Sequence, residues 1–151
     1  MDPEPLLIPR AILGAMIAHC LREDPLECCG LLCGVPPEVT SIYPLRNVLA
    51  SETRYSADPR DLIAVDRELR AREAQILAIY HSHPRWAAIP SRTDLDQNYY
   101  GALPRIIVSL LGERPEVRAW HLEPDSYEEL PWKPVPDAAG SVAVEPDDAT
   151  G

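Results

Sequence analysis

Residues 76–84 read Ile76-Leu77-Ala78-Ile79-Tyr80-His81-Ser82-His83-Pro84, an apolar run that ends in two histidines and a proline. The run over 76–80 reads as a buried strand that delivers His81 and His83 at its C-terminal end. Side chains at i and i+2 of a strand leave the same face, so both imidazoles can reach one metal ion. By itself the pattern is cheap, since two polar residues at a strand end would look the same.

Upstream, Asp58-Pro59-Arg60-Asp61 is a helix start, with Asp58 as N-cap and Pro59 at the first helical position. Leu62, Val65 and Leu69 follow on one face, which predicts a helix over 59–73. Downstream, a loop over 85–93 holds Pro90 and precedes a short helix opening near Asp94. Strands follow over 105–110 and 116–122, the second alternating in and out.

Nearer the N-terminus, Ile12, Leu13, Met16, Ile17, Cys20 and Leu21 fall at helical spacing, predicting a helix over about 9–23 that Glu23-Asp24-Pro25 stops. Leu26 to Cys33 is an apolar run with one charge, Glu27, closed by Gly34-Val35-Pro36-Pro37, and reads as a buried strand. A strand over 39–43 would pair with it as a hairpin, and Thr53-Arg54-Tyr55-Ser56 is a candidate for a further one. Strands alternating with helices of these lengths predict an α/β fold, with a single mixed sheet flanked by helices. There is no internal repeat and no phosphate-cradling glycine loop.

The chain has 151 residues and 46% hydrophobic content, enough for one domain with a core. That domain is expected over 1–132. The remainder, 133–151, is an acidic tail rich in Pro, Ala and Asp, and disorder is expected from about Pro134. Of the net charge of −10, residues 123–151 carry −7, from eight acidic residues against Lys133, which leaves −3 for residues 1–122. A weakly acidic body lacks the basic stripe that binding phosphates needs, so nucleic acid is not an expected partner.

No run reaches the ~18 apolar residues of a membrane span. The start Met1-Asp2-Pro3-Glu4 lacks the positive charge of a secretory signal, so a cytoplasmic location is expected. Cys20, Cys28, Cys29 and Cys33 crowd into one apolar segment without a paired Cys-x-x-Cys, so buried, reduced thiols are expected, not a second metal site. His19 and His121 have no partner at ligand spacing and read as ordinary helix and strand residues.

Asp94 lies eleven residues after His83 and opens a helix directly after the loop, where a carboxylate can fold back as third metal ligand. Two histidines and a carboxylate leave one position open, the arrangement of a catalytic zinc, which lowers the pKa of bound water toward about 7. Such chemistry needs a general base. Glu27, the one charge in an apolar run, is the candidate, although alone it would read as a strand-edge carboxylate facing solvent. Ser91, three residues before Asp94, has a hydroxyl able to donate to an oxyanion, where a lone loop serine is ordinarily a turn residue.

His81-Ser82-His83-Pro84, six residues, Ser91, two residues and Asp94, with Glu27 far upstream, resembles the signature of the JAMM (MPN-domain) zinc metalloproteases at every signature position. The surroundings Glu27-Cys28-Cys29-Gly30-Leu31-Leu32, Tyr55-Ser56-Ala57-Asp58-Pro59 and Ile106-Ile107-Val108-Ser109-Leu110 resemble its short stand-alone bacterial branch, over roughly residues 8–122. The resemblance implies a cytidine-deaminase-like curved sheet with helices on both sides. It also implies zinc on His81, His83 and Asp94, an acid/base at Glu27, and a stabiliser of the tetrahedral intermediate at Ser91. The implied activity is that of a zinc metallopeptidase or isopeptidase acting through a zinc-activated water at the C-terminus of a ubiquitin-fold, sulfur-carrier-like protein. Such a protein's extended Gly-Gly tail would pair through its main chain near the metal, with Trp86 as a possible wall of the groove.

Two rival readings remain open at this level. A non-catalytic MPN-type scaffold is one, although such relatives usually lack ligands that this chain has. A nucleoside deaminase is the other, and it would call for a Pro-Cys-x-x-Cys motif that is missing.

Overall fold

The computed structural model describes residues 4–98, 101–137 and 142–143. Two long apolar runs form its centre. β2 (Cys29–Val35) and β4 (Gln75–His83) lie antiparallel, and β2 also pairs antiparallel with β3 (Glu38–Leu45), the expected hairpin. On its other side β4 pairs in parallel with β5 (Arg105–Ser109), which pairs antiparallel with β6 (Glu116–Leu122). The outer members are β1 (Leu6–Pro9), β7 (Tyr127–Leu130), β8 (Trp132–Val135) and β9 (Val142–Ala143). The order is β7-β6-β5-β4-β2-β3-β1-β8, with β9 beside β3, in one curved mixed sheet.

Alternation along the strands divides the core in two. Leu32, Ala78, Tyr80, Ile106 and Val108 pack with Ile12, Met16 and Cys20 of α1 (Arg10–Glu23). Leu31, Cys33 and Ile79 pack with Val65 and Leu69 of α2 (Pro59–Arg72). The two helices therefore cover opposite faces, and each fully buried side chain such as Ile12 or Met16 contributes about 1.5–3 kcal/mol. α2 begins as its sequence requires, with the Asp58 carboxylate accepting from the Arg60 amide at 2.9 Å and Pro59 in the first turn. Among the described residues no helix is long and apolar enough to cross a membrane.

Several expectations change in the structure. Leu26, Glu27 and Cys28 precede β2 and do not form part of it. Residues 53–56 form no strand, since the chain there closes a loop through an isolated bridge between Asn47 and Ala57. β1, β7 and β8 were not foreseen, because each spans only four residues; β1 and β8 also depend on each other across the length of the chain, while β7 folds back on β6 as a hairpin. β8 crosses the boundary drawn at 132/133. Leu6 to Pro9 register in parallel with Trp132 to Val135, so Lys133 to Val135 are ordered by that pairing despite their polar setting. Residues 138–141 and 144–151 of the acidic tail lie outside the described residues.

One close approach locks the central strands. Gly30 faces Tyr80 across the β2–β4 ladder, and a Cβ on Gly30 would lie 2.2 Å from the Tyr80 ring. The ring occupies the missing side chain's place, and its hydroxyl meets His19 Nδ1 of α1 at 2.7 Å. His19 therefore has a buried structural partner. Gly30→Ala is expected to destabilise the fold by about 1–3 kcal/mol through overpacking. A urea midpoint equal to that of the parent would show that the ring has room to move.

Candidate metal centre

The crossover out of β4 starts at His83, so the loop over 84–91 and α3 (Arg92–Asp96) sit at the C-terminal end of the strand. In α/β sheets the carboxyl ends of strands are the usual place for ligand sites. His81 and His83 share the face of Ile79, on the α2 side, and are both 1% exposed. α3 opens with a capping box: the Asp94 amide donates to Ser91 Oγ at 3.0 Å, and the Ser91 amide donates to Asp94 Oδ2 at 2.9 Å. The cap holds the Asp94 carboxylate back toward the strand end.

The donor atoms then converge. His81 Nε2 and His83 Nε2 are 3.2 Å apart, His81 Nε2 lies 3.2 Å from Asp94 Oδ1, and His83 Nε2 lies 3.1 Å from Asp94 Oδ2. Among the described residues, His81, His83 and Asp94 form a group whose ligand atoms all lie within 4.8 Å of one another. Donors about 2.0–2.1 Å from a shared tetrahedral ion sit roughly 3.3 Å from each other, so the spacing suits zinc without rearrangement. His83 Nδ1 lies 2.8 Å from the Ala87 carbonyl, which holds the proton on Nδ1 and leaves the Nε2 lone pair for a metal. Tyr55 stacks on His81 at 4.5 Å and keeps its ring in plane.

Glu27 arrives by another route. Its neighbour Cys28 is bonded twice to Ser82, the residue between the histidines: the Cys28 amide donates to Ser82 Oγ at 2.9 Å, and the Ser82 amide donates to the Cys28 carbonyl at 3.1 Å. Glu27 is 3% exposed, and its Oε1 has no hydrogen-bond partner. Ser82, Tyr55 and the Ala87 carbonyl were missed as supporting groups. Only Ser82 and Tyr55 carried a signal, through their places beside the ligands and in the resembling motif.

Burial, with the Asp94 charge adding to it, pushes the Glu27 carboxyl from its ordinary 4.5 up to about 9. Burial also opposes ionisation of Asp94, yet the imidazoles facing it reverse the sign and hold it well below the usual carboxylate range. His81 is pushed below its ordinary 6.5 by burial, against the pull of Asp94, a direction that favours the neutral imidazole a metal needs. Two acids in one site with opposite shifts make it a candidate functional centre on physical grounds.

The Glu27 shift has a signed consequence for the metal-free protein. Between its ordinary value of 4.5 and about 9 the folded chain holds a proton that the unfolded chain has released, so stability is full below this window and falls as pH rises through it. Glu27→Gln is expected to flatten that decline between about pH 5 and pH 9 in thermal melts of metal-free protein. Parallel pH slopes for parent and variant would place the shift elsewhere.

The chain matches the model of the prokaryotic homologs of the JAB domain over residues 9–123. It is 40% identical over 110 residues to a Thermus thermophilus protein named probable TtuB-protein conjugate cleaving protease, covering 72% of this chain and 73% of that one. A Mycobacterium tuberculosis CysO-cysteine peptidase is 36% identical over 94 residues, 60% of this chain and 63% of its own length. A Pyrococcus furiosus desampylase is 29% identical over 119 residues, 78% and 81% of the two chains. Among solved structures, a Desulfitobacterium hafniense protein superposes with TM-score 0.80 at 27% identity, covering 88% of this chain and 94% of that one. A JAB1/MPN domain protein from Archaeoglobus fulgidus shares the fold, with TM-score 0.59 at 17% identity over 88% of this chain and all of its own. With a matched region that spans most of the sequence, the chain belongs to the family of prokaryotic homologs of the JAB domain.

Proposed function

We propose that this chain is a zinc-dependent metallopeptidase that hydrolyses an amide bond at the C-terminus of a ubiquitin-fold, sulfur-carrier-like protein. The observation that carries the reading is the convergence of two imidazole Nε2 atoms and both Asp94 oxygens, with the buried Glu27 carboxyl, whose Oε1 has no hydrogen-bond partner, within electrostatic reach of Asp94. His81, His83 and Asp94 would hold the metal, leaving one position free. When bound, zinc supplies positive charge that makes water a nucleophile near neutral pH and polarises a carbonyl.

The chain's own groups supply the rest. The carboxylate of Glu27 takes a proton from the attacking water and returns it to the leaving nitrogen as the carbon–nitrogen bond breaks. The pKa of about 9 belongs to the metal-free site, and a nearby cation favours the charged carboxylate that acts as base. Ser91 Oγ accepts from the Asp94 amide, so its hydroxyl hydrogen is left to donate to the oxygen that gains charge during attack.

The relatives named as a TtuB-protein conjugate cleaving protease, a CysO-cysteine peptidase and a desampylase support a ubiquitin-like partner. A tail ending in Gly-Gly has no side chains to keep it from a buried centre, which suits histidines that are 1% exposed. Val48, Leu49, Trp86 and Ile89, in the loops on either side, are exposed apolar residues of the kind that meet a protein partner.

The parent is expected to carry one zinc per chain by elemental analysis, and His81→Ala or Asp94→Ala to lose it. Undiminished metal in either variant would remove the centre. Glu27→Gln is expected to keep the metal and to slow release of an amino acid from a Gly-Gly-ending carrier by on the order of 10²–10⁴, followed by mass spectrometry. Turnover at the parental rate would refute the acid/base role.

A further inference from the structure

Glu27 lies outside the sheet ladder, so something other than strand pairing must hold its backbone. Its amide donates to the Ser51 carbonyl at 2.7 Å, and its carbonyl accepts from Asn47 Nδ2 at 3.0 Å. Both partners belong to the loop between β3 and α2. That loop is organised around one side chain. Asn47 Nδ2 also donates to the Arg54 carbonyl at 2.9 Å, while Asn47 Oδ1 accepts from the Leu49 amide at 3.1 Å and the Ser56 amide at 3.0 Å.

The Asn47 amide thus makes all four hydrogen bonds open to it, two as donor and two as acceptor. Turning it over would set its NH₂ against two amides and its oxygen against two carbonyls, so one orientation is specified. Its backbone closes the loop as well, through the bridge to Ala57 and through its carbonyl, which accepts from the Ala50 amide at 3.1 Å. Ala50 is held at φ +44°, a left-handed conformation that a non-glycine residue adopts only when its surroundings impose it.

We infer that Asn47 is a positioning residue for the proposed reaction: its side chain fixes the 47–57 loop and, through the Glu27 carbonyl, sets where the Glu27 carboxyl stands relative to the metal ligands. The inference rests on the acid/base role proposed for Glu27. Asn47 touches neither substrate nor metal in this scheme and acts only through Glu27. Aspartate is the sharpest substitution. It keeps the shape and the acceptor for Leu49 and Ser56, loses both donor bonds, and turns an acceptor toward the carbonyls of Glu27 and Arg54.

The test compares the parent, Asn47→Asp and Glu27→Gln as zinc-loaded full chains, with a Gly-Gly-ending carrier bearing one extra amino acid as substrate. Asn47→Asp is expected to lower kcat by on the order of 10- to 100-fold, with KM within about twofold and the zinc content of the parent, because misplacement of a proton-transfer group costs rate and not binding. Hydrogen exchange gives the readout that general loss of packing would not. The Glu27 amide is expected to exchange at least about tenfold faster in Asn47→Asp, while the amides of Ile79 and Ile107 keep the parental rate.

A parental kcat in Asn47→Asp overturns the inference, as does a lowered kcat with unchanged Glu27 exchange. Loss of zinc, or faster exchange in β4 and β5 as well, overturns it too, since the asparagine would then serve the fold at large. Glu27→Gln separates the two levels. If it is inactive while Asn47→Asp is not impaired, only the positioning role fails; if Glu27→Gln turns over like the parent, the acid/base assignment itself is at fault.

Discussion

Ser82 stands between the two histidines with its side chain turned to the opposite face of β4, where it is bonded through both amide and hydroxyl to Cys28. That pair of hydrogen bonds couples the two halves of the site. On one side of it the β4 backbone presents His81 and His83 to α3, and on the other the residue before Cys28 brings a carboxyl group to the same region. A slip of one residue in the β2–β4 register would turn both histidines away from Asp94. The β2–β4–β5 ladders hold that register, and Gly30 packed under the Tyr80 ring adds a steric lock, so the centre depends on the most deeply buried part of the sheet.

The cost of this arrangement is electrostatic. Two imidazoles and two carboxyl groups share a region from which water is largely excluded, and Glu27 Oε1 and His81 Nδ1 are buried without a hydrogen-bond partner. Unpaired buried polar atoms cost about 1–3 kcal/mol each. The site is therefore a place where stability is given up for pre-set geometry, and a cation among the donors would offset much of that loss. Asp94 is arranged differently from Glu27, since it has an N-cap partner and two facing imidazoles. In the metal-free site the same burial thus favours the protonated form of Glu27 and leaves Asp94 ionised, because only Asp94 has groups that stabilise its charge.

The sheet and the helices on its two faces were legible because long apolar runs and a capped helix start constrain themselves. Ile76 to Tyr80, Leu31 to Cys33 and Arg105 to Ser109 have too few polar groups to form anything but buried elements, and Asp58-Pro59 marks a helix start by local hydrogen bonding alone. Glu27 was picked out as an acid in an apolar run and assigned to a strand; the structure buries it, but outside any strand. It lies in the lead-in to β2, where the partners of its backbone come from a loop some twenty residues away. Similarly, Leu6 to Pro9 and Trp132 to Val135 are strands only because each supplies the other's ladder.

Residue type and spacing were sufficient to name the candidate ligands His81, His83 and Asp94, the acids and the α/β class, since alternation along a strand and capping at a helix start act over a few residues. Whether Asp94 faces the imidazoles at 3.1–3.2 Å, whether Glu27 is shielded from water, and how Asn47 gathers its loop were decided only when distant segments packed together. Those properties depend on contacts across 11 to 54 residues of chain, and no local pattern encodes a distance between groups that meet only in the folded state.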